Sequence, residues 1–196
     1  IDVLRALHLA CFAAGMGTGL YFDFRSYQTM KDPITSDHIV SLEQIHLWIS
    51  CAFMGLWVTG LVLIYERTGM DLAEFSPKLW VKVTLMVIMT WNARKIASYV
   101  LPVLRANTGK AMIDLPARQL RGATQIAVTS MFCWTSGMLL GSSAFLKTAP
   151  WEIVVPFAVC WFLVLTVGGH AMISIVRGRV NAAKESRQQQ LVFDYG

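Results

Sequence analysis

The 196-residue chain is 55% hydrophobic and only 15% charged, which leaves too little polar surface to clothe a water-soluble globule of this size. Its net charge of +5 falls mainly in short segments between apolar runs, where it suits anionic lipid headgroups and gives no reason to invoke nucleic acid. A lipid bilayer is therefore the expected solvent and first partner.

Crossing a bilayer takes about 20 mostly apolar residues per helix, and about five such runs are present, at residues 3–22, 39–65, 79–101, 122–145 and 151–176. They are long and unbroken, not alternating segments of about ten residues, so helices are expected and barrel strands are not. The expected fold is all-α, a polytopic transmembrane helical bundle of about five transmembrane helices. The first run follows Ile1, so either a short leader is missing from the numbering or the first residues were removed. It is too long and too glycine-rich to be only a signal peptide's apolar region, and it is read as a mature span. Asp32-Pro33 and Ser36-Asp37 precede the second run, with His38 expected in a solvated loop. Ser76-Pro77 starts the third and Ala149-Pro150 makes a hairpin before the fifth, where Pro156 is expected at most to bend the helix. Residues 1–180 form one transmembrane domain, and residues 181–196 a polar cytoplasmic C-terminal tail, helical or disordered.

Lys and Arg in short loops favour the cytoplasm. One face collects Arg25, Lys31, Arg105, Lys110, Arg118, Arg121, Arg177, Arg179, Lys184 and Arg187. The other has Arg5, Arg67, Lys78 and Lys147, diluted by Glu66, Asp71, Glu74 and Glu152. This asymmetry predicts a multi-pass protein of a bacterial inner (cytoplasmic) membrane, N-terminus outside and C-terminus cytoplasmic.

Ionisable side chains inside spans are rare and costly, so each is a functional candidate. With about 1.5 Å of rise per residue, His46 on the second helix and His170 on the fifth fall at matching depth near the cytoplasmic face. Two neutral imidazoles on facing helices are what axial ligation of a b-type haem requires. Gly168 and Gly169 precede His170 and Ser50 follows His46 by one turn, leaving room for a flat macrocycle, and Arg25, Arg94, Lys95 and Arg121 are placed to meet its propionates. The alternatives are histidines that only hydrogen-bond across helices, or a different metal. His8 lies at another level, near the outer end of the first helix. Its face continues through Phe12, Gly15 and Gly19, a smooth strip that admits a close helix or a flat cofactor. Lys82 sits at comparable depth on the third helix, where it can meet an outer propionate or snorkel to the interface. With no second histidine at that level, a haem there would have its other axial position vacant or filled by Met86 or Met138.

The four cysteines (Cys11, Cys51, Cys133, Cys160) have no metal-ligand or redox spacing, and there is no CxxCH for covalent haem. Of the ten methionines only Met86 and Met89 show MxxM spacing, so packing is favoured over a copper relay. Trp80 and Trp151 suit interfacial belts, whereas Trp57, Trp91, Trp134 and Trp161 are expected deep. No hydrolase nucleophile motif, P-loop or dinucleotide fingerprint is present.

The run Leu4-Arg5-Ala6-Leu7-His8, followed by Gly17-Thr18-Gly19-Leu20-Tyr21 and Arg25, resembles the first helix of HemJ-type protoporphyrinogen oxidases. The third helix, from Leu79-Trp80-Val81-Lys82 to Met89-Thr90-Trp91-Asn92-Ala93-Arg94, resembles that family's lysine-bearing helix, and its ending with Pro102 is also similar to CopD-type copper resistance membrane proteins. The resemblance rests on short motifs over the first four helices. It implies a haem b association for His8 and a functional role for Lys82. The chain departs from it in having Asn92, Ala93 and Arg94 where histidines are usual, and in adding His46 and a fifth helix with His170.

The function expected is a haem b-binding integral membrane redox protein that transfers electrons, with one haem or two. His46 and His170 are its axial ligands, and His8 with Lys82 marks a second site. Its partners would be a redox protein or quinone, within a larger respiratory or photosynthetic complex. The alternatives are a protoporphyrinogen oxidase-like enzyme of haem biosynthesis, a CopD-like copper-handling protein, and a structural or assembly subunit without cofactor.

Overall fold

A computed structural model describes residues 1–195, except for the side chains of Lys147, Thr148, Val192, Asp194 and Tyr195. The expected contribution of Lys147 to the outer charge, and Gly196 at the end of the tail, lie outside the described residues. The chain is helical throughout, as α1 (Asp2–Gln28), α2 (Ser36–Thr68), α3 (Pro77–Lys95), α4 (Leu101–Ala106), α5 (Ala117–Ser142), α6 (Phe145–Thr148) and α7 (Trp151–Tyr195). Among the described residues the only extended pairing is an isolated bridge between Pro33 and Ala111.

The helix ends follow local chemistry. Thr35 caps α2 by accepting the His38 N–H at 3.2 Å, so the helix starts at Ser36, three residues before the expected run. His38 therefore lies in the exposed first turn and not in a loop. Ser76 caps α3 by accepting from the Leu79 N–H at 3.3 Å, with Pro77 at the first helical position. Gly69 closes α2 in the left-handed region at φ 58°, its N–H on the Tyr65 carbonyl at 2.8 Å. The third expected run is longer than its apolar part: a π-turn at Ile96–Val100 joins α3 to α4. Pro102 has no N–H to return to the preceding turn, and its ring crowds that turn, so the backbone widens there. Between the fourth and fifth runs the short helix α6 comes before Ala149-Pro150, which stay non-helical and break the chain before α7.

Three helices, α1, α2 and α7, are long and apolar enough to cross a membrane. The other two expected spans form as helices but are more polar: α3 carries Lys78, Lys82, Arg94 and Lys95, and α5 carries Arg118 and Arg121 with Gln125, Thr129, Ser130, Thr135 and Ser136. Both are central to the packing. α2 lies along α1, α5 packs on α3 and α7, and α1 also reaches α5. The main core gathers Phe53, Leu56, Leu85, Met89, Phe132 and Trp134 where these helices meet. Outside it, Leu47, Val58, Trp91, Leu163, Val164 and Val167 are exposed, an apolar exterior suited to hydrocarbon and costly in water.

α7 has 45 residues, about 67 Å at 1.5 Å per residue, which is roughly twice the ~30 Å hydrocarbon core of a bilayer. The polar tail from Asn181 is thus a continuation of the same helix. It is tied back by Lys184, whose Nζ lies 2.7 Å from Asp114 Oδ1. Next to that contact the two loops at this end zip together, Ile34 N–H to the Lys110 carbonyl at 3.0 Å and Gly109 N–H to the Ile34 carbonyl at 2.8 Å.

Candidate functional site

Antiparallel packing of α1 on α2 brings His8 beside Gly60: a β-carbon there would stand 3.4 Å from His8 Cε1. Thr59 is the residue that fixes the imidazole. Its hydroxyl donates to the Gly55 carbonyl at 2.6 Å, so its oxygen is left to accept from His8 Nδ1 at 2.8 Å. In the tautomer that this geometry favours, the proton is on Nδ1 and Nε2 keeps its lone pair, the arrangement by which an outer partner prepares a histidine to ligate a metal.

His8 lines a chamber of about 780 Å³ at the end of the bundle where α1 begins, within the range of about 300–1,000 Å³ that cofactor sites occupy. Its walls are mostly apolar and aromatic, including Phe12, Phe53, Trp57 and Trp134. Lys82 lines it from α3 and lies near enough for its charge to act on the His8 ring. Met86 and Met89 also face in, whereas Met138 is 41% exposed. Arg5, Arg67 and Glu66 supply the rest of the charge on the lining; from sequence Arg67 reads as loop charge and Arg5 as a charge near the start of the first helix, because nothing local says that two chain-distant arginines share one opening.

The smooth strip on α1 has a different use from a cofactor groove. A β-carbon at Gly15 would lie 2.5 Å from Trp134 Cη2, and one at Gly19 3.4 Å from Trp134 Nε1. The flat object against these glycines is thus the protein's own indole, 3% exposed and edge-on to Phe12 with centroids 5.6 Å apart. Trp134 is the inner floor of the chamber.

His46 and His170 belong to different helix pairs. His46 is half-buried on α2, which packs along α1, and Ser50 donates to its backbone carbonyl at 2.7 Å. His170 turns toward α5, its Nε2 3.0 Å from Gln125 Oε1. Whichever way the amide is oriented, that nitrogen is engaged. Of the two glycines before it, Gly169 is a packing point, since a β-carbon there would meet Val128 Cγ2 at 2.6 Å, and Gly168 faces open space. Arg25, Arg94 and Arg121 are exposed and do not line the chamber; Arg121 Nε donates to the Ala117 carbonyl at 3.3 Å. Lys95 sits 5.3 Å over the Trp91 ring, and Trp91, expected deep, is 64% exposed on the outward side of α3. Asn92 is structural, its amide donating to the Ile126 carbonyl at 3.0 Å to hold α3 on α5. Among the described residues no three His, Cys, Asp or Glu side chains converge on a metal-ion site. Compared with family models, curated proteins and solved structures, the chain finds no match.

Proposed function

We propose that this chain is a haem b-binding membrane redox protein whose cofactor occupies the His8 chamber. The observation that carries the reading is the His8–Thr59 pair: an imidazole with Nδ1 held and Nε2 free, on the wall of a chamber large enough for a macrocycle. The donor set fits the group. His8 would hold the group through a neutral nitrogen, the aromatic walls would offer faces for a porphyrin, and Met86 would add a thioether donor from the same lining. Haem would supply one-electron chemistry. The residues fix its ligand field, and the hydrophobic walls limit water. Electrons would be exchanged with a quinone or protein partner.

The supporting orientation is the one read from charge, N-terminus outside and C-terminus cytoplasmic in a bacterial inner membrane, with α3 and α5 crossing beside α1, α2 and α7 to make about five spans. A second haem between His46 and His170 requires Gln125 to release His170 Nε2. The HemJ-like oxidase reading uses the same chamber, with a porphyrinogen as substrate. A CopD-like copper site draws on His8, Met86 and Met89, but Arg5, Arg67 and Lys82 against the one carboxylate of Glu66 disfavour a metal cation there.

Optical spectra of the purified protein test this. Reduced b-type bands are expected, lost in His8→Ala and kept in His46→Ala and His170→Ala. Loss only in the latter two would move the haem to the inner level, and copper in place of haem by elemental analysis would overturn the reading. Rescue of a strain lacking protoporphyrinogen oxidase would establish the enzyme.

A further inference from the structure

The chamber's polar lining is lopsided. Arg5, Arg67 and Lys82 face a single acidic side chain, Glu66, and Lys82 also feels the like charge of Lys78 beside that of Arg67. Gathering cations in a part-apolar opening is costly unless an anion joins them. Arg5 does have a carboxylate neighbour, Asp2 at 3.3 Å, but that pair is 65% and 96% exposed, the weak and exchangeable kind.

Position along the helices adds direction. Arg5 is three residues outward of His8, about 4.5 Å at the helical rise, and Arg67 is seven residues beyond Gly60, about 10 Å. Gly60 is the residue against the His8 ring, so Arg5 and Arg67 both lie outward of the imidazole along their helices and line the same chamber from two different helices. The opposite end of the chamber is closed by Trp134, which is buried and brings no charge.

Resting on the haem reading above, we propose that Arg5 and Arg67 form a carboxylate clamp that holds the acid edge of the chamber's tetrapyrrole toward the N-terminal end of the bundle, and so restricts the site to tetrapyrroles with free carboxylates. A guanidinium meets a carboxylate with a pair of parallel N–H donors, giving orientation as well as attraction. The ligand then loads apolar edge first from the side that charge asymmetry marks as outer. Glu66 at the same opening is the group that would repel a badly seated acid edge.

The test titrates the full-length apo-protein with haem and with haem dimethyl ester, following the optical band. Wild type should bind the free acid at least about tenfold more tightly than the ester, the effect of one charge-assisted hydrogen bond. Arg5→Gln/Arg67→Gln should lower the affinity for the acid to that for the ester while leaving ester binding and band position unchanged, and Arg5→Lys/Arg67→Lys should restore part of it. Equal wild-type affinity for acid and ester overturns the clamp alone, as does an equal loss of both ligands in the Gln variant. Failure of wild type to bind either ligand overturns the haem reading and the clamp with it.

Discussion

At the end of the bundle where α1 begins, His8 surrenders only Nδ1, to Thr59, and faces a chamber of about 780 Å³. Toward the opposite end, His170 has its Nε2 on Gln125 and Gly169 fitted tightly against Val128. The same residue type thus sits in two regions with different second neighbours, and the neighbour determines which ring nitrogen is available. A hydroxyl already committed to its own helix carbonyl can only accept, which poises an imidazole for a ligand; an amide on Nε2 satisfies it instead. Depth in the membrane, which singled out His46 and His170, says nothing about this.

The contrast can be broken in several places. The largest effect is expected from Trp134→Ala, which removes the chamber floor and a buried indole and should cost about 3–5 kcal/mol, measured as lowered thermal stability in detergent. An unfolding temperature close to wild type would mean that the indole is not the wedge holding α1 to α5. Thr59→Val keeps the shape of the side chain but deletes the acceptor for His8 Nδ1. A loss of about 10–100-fold in haem affinity is expected, as for other outer partners of metal ligands, and unchanged binding would remove the argument from the tautomer. Gly55→Ala puts a β-carbon 2.6 Å from Cys11 Sγ, an overpacking worth about 1–3 kcal/mol. Because the obstacle is one sulfur atom, Cys11→Ala should recover much of that loss, and additive single-mutant effects would contradict the contact. Smallest is Gln125→Leu, expected to cost about 1 kcal/mol for the lost hydrogen bond and to leave the His8 spectrum untouched. New b-type bands in Gln125→Leu that depend on His46 and His170 would show that the inner pair binds haem once freed.

Much of the architecture was legible because it follows from local chemistry. The apolar runs gave helices at each expected place, Ser76-Pro77 capped α3, and His8 and Lys82, read as neighbours in depth, line one chamber. What was not legible came from groups distant in sequence. The Gly15 and Gly19 strip admitted either a close helix or a flat cofactor, and only packing showed Trp134 filling it. Arg67 reads as an ordinary loop charge and Arg5 as a charge near the start of the first helix, since their shared opening depends on how α1 and α2 align. Trp91 was assigned by depth alone, and depth does not say which face of α3 looks outward.

Hydrophobicity and its run lengths, set residue by residue against water, determined by themselves that this is an all-helical chain with helices able to cross a membrane, and placed its rare charges near the helix ends. Tertiary structure decided which histidine has a free nitrogen, which glycines serve packing, and where cations outnumber acids, because those outcomes depend on contacts between helices that no single segment encodes.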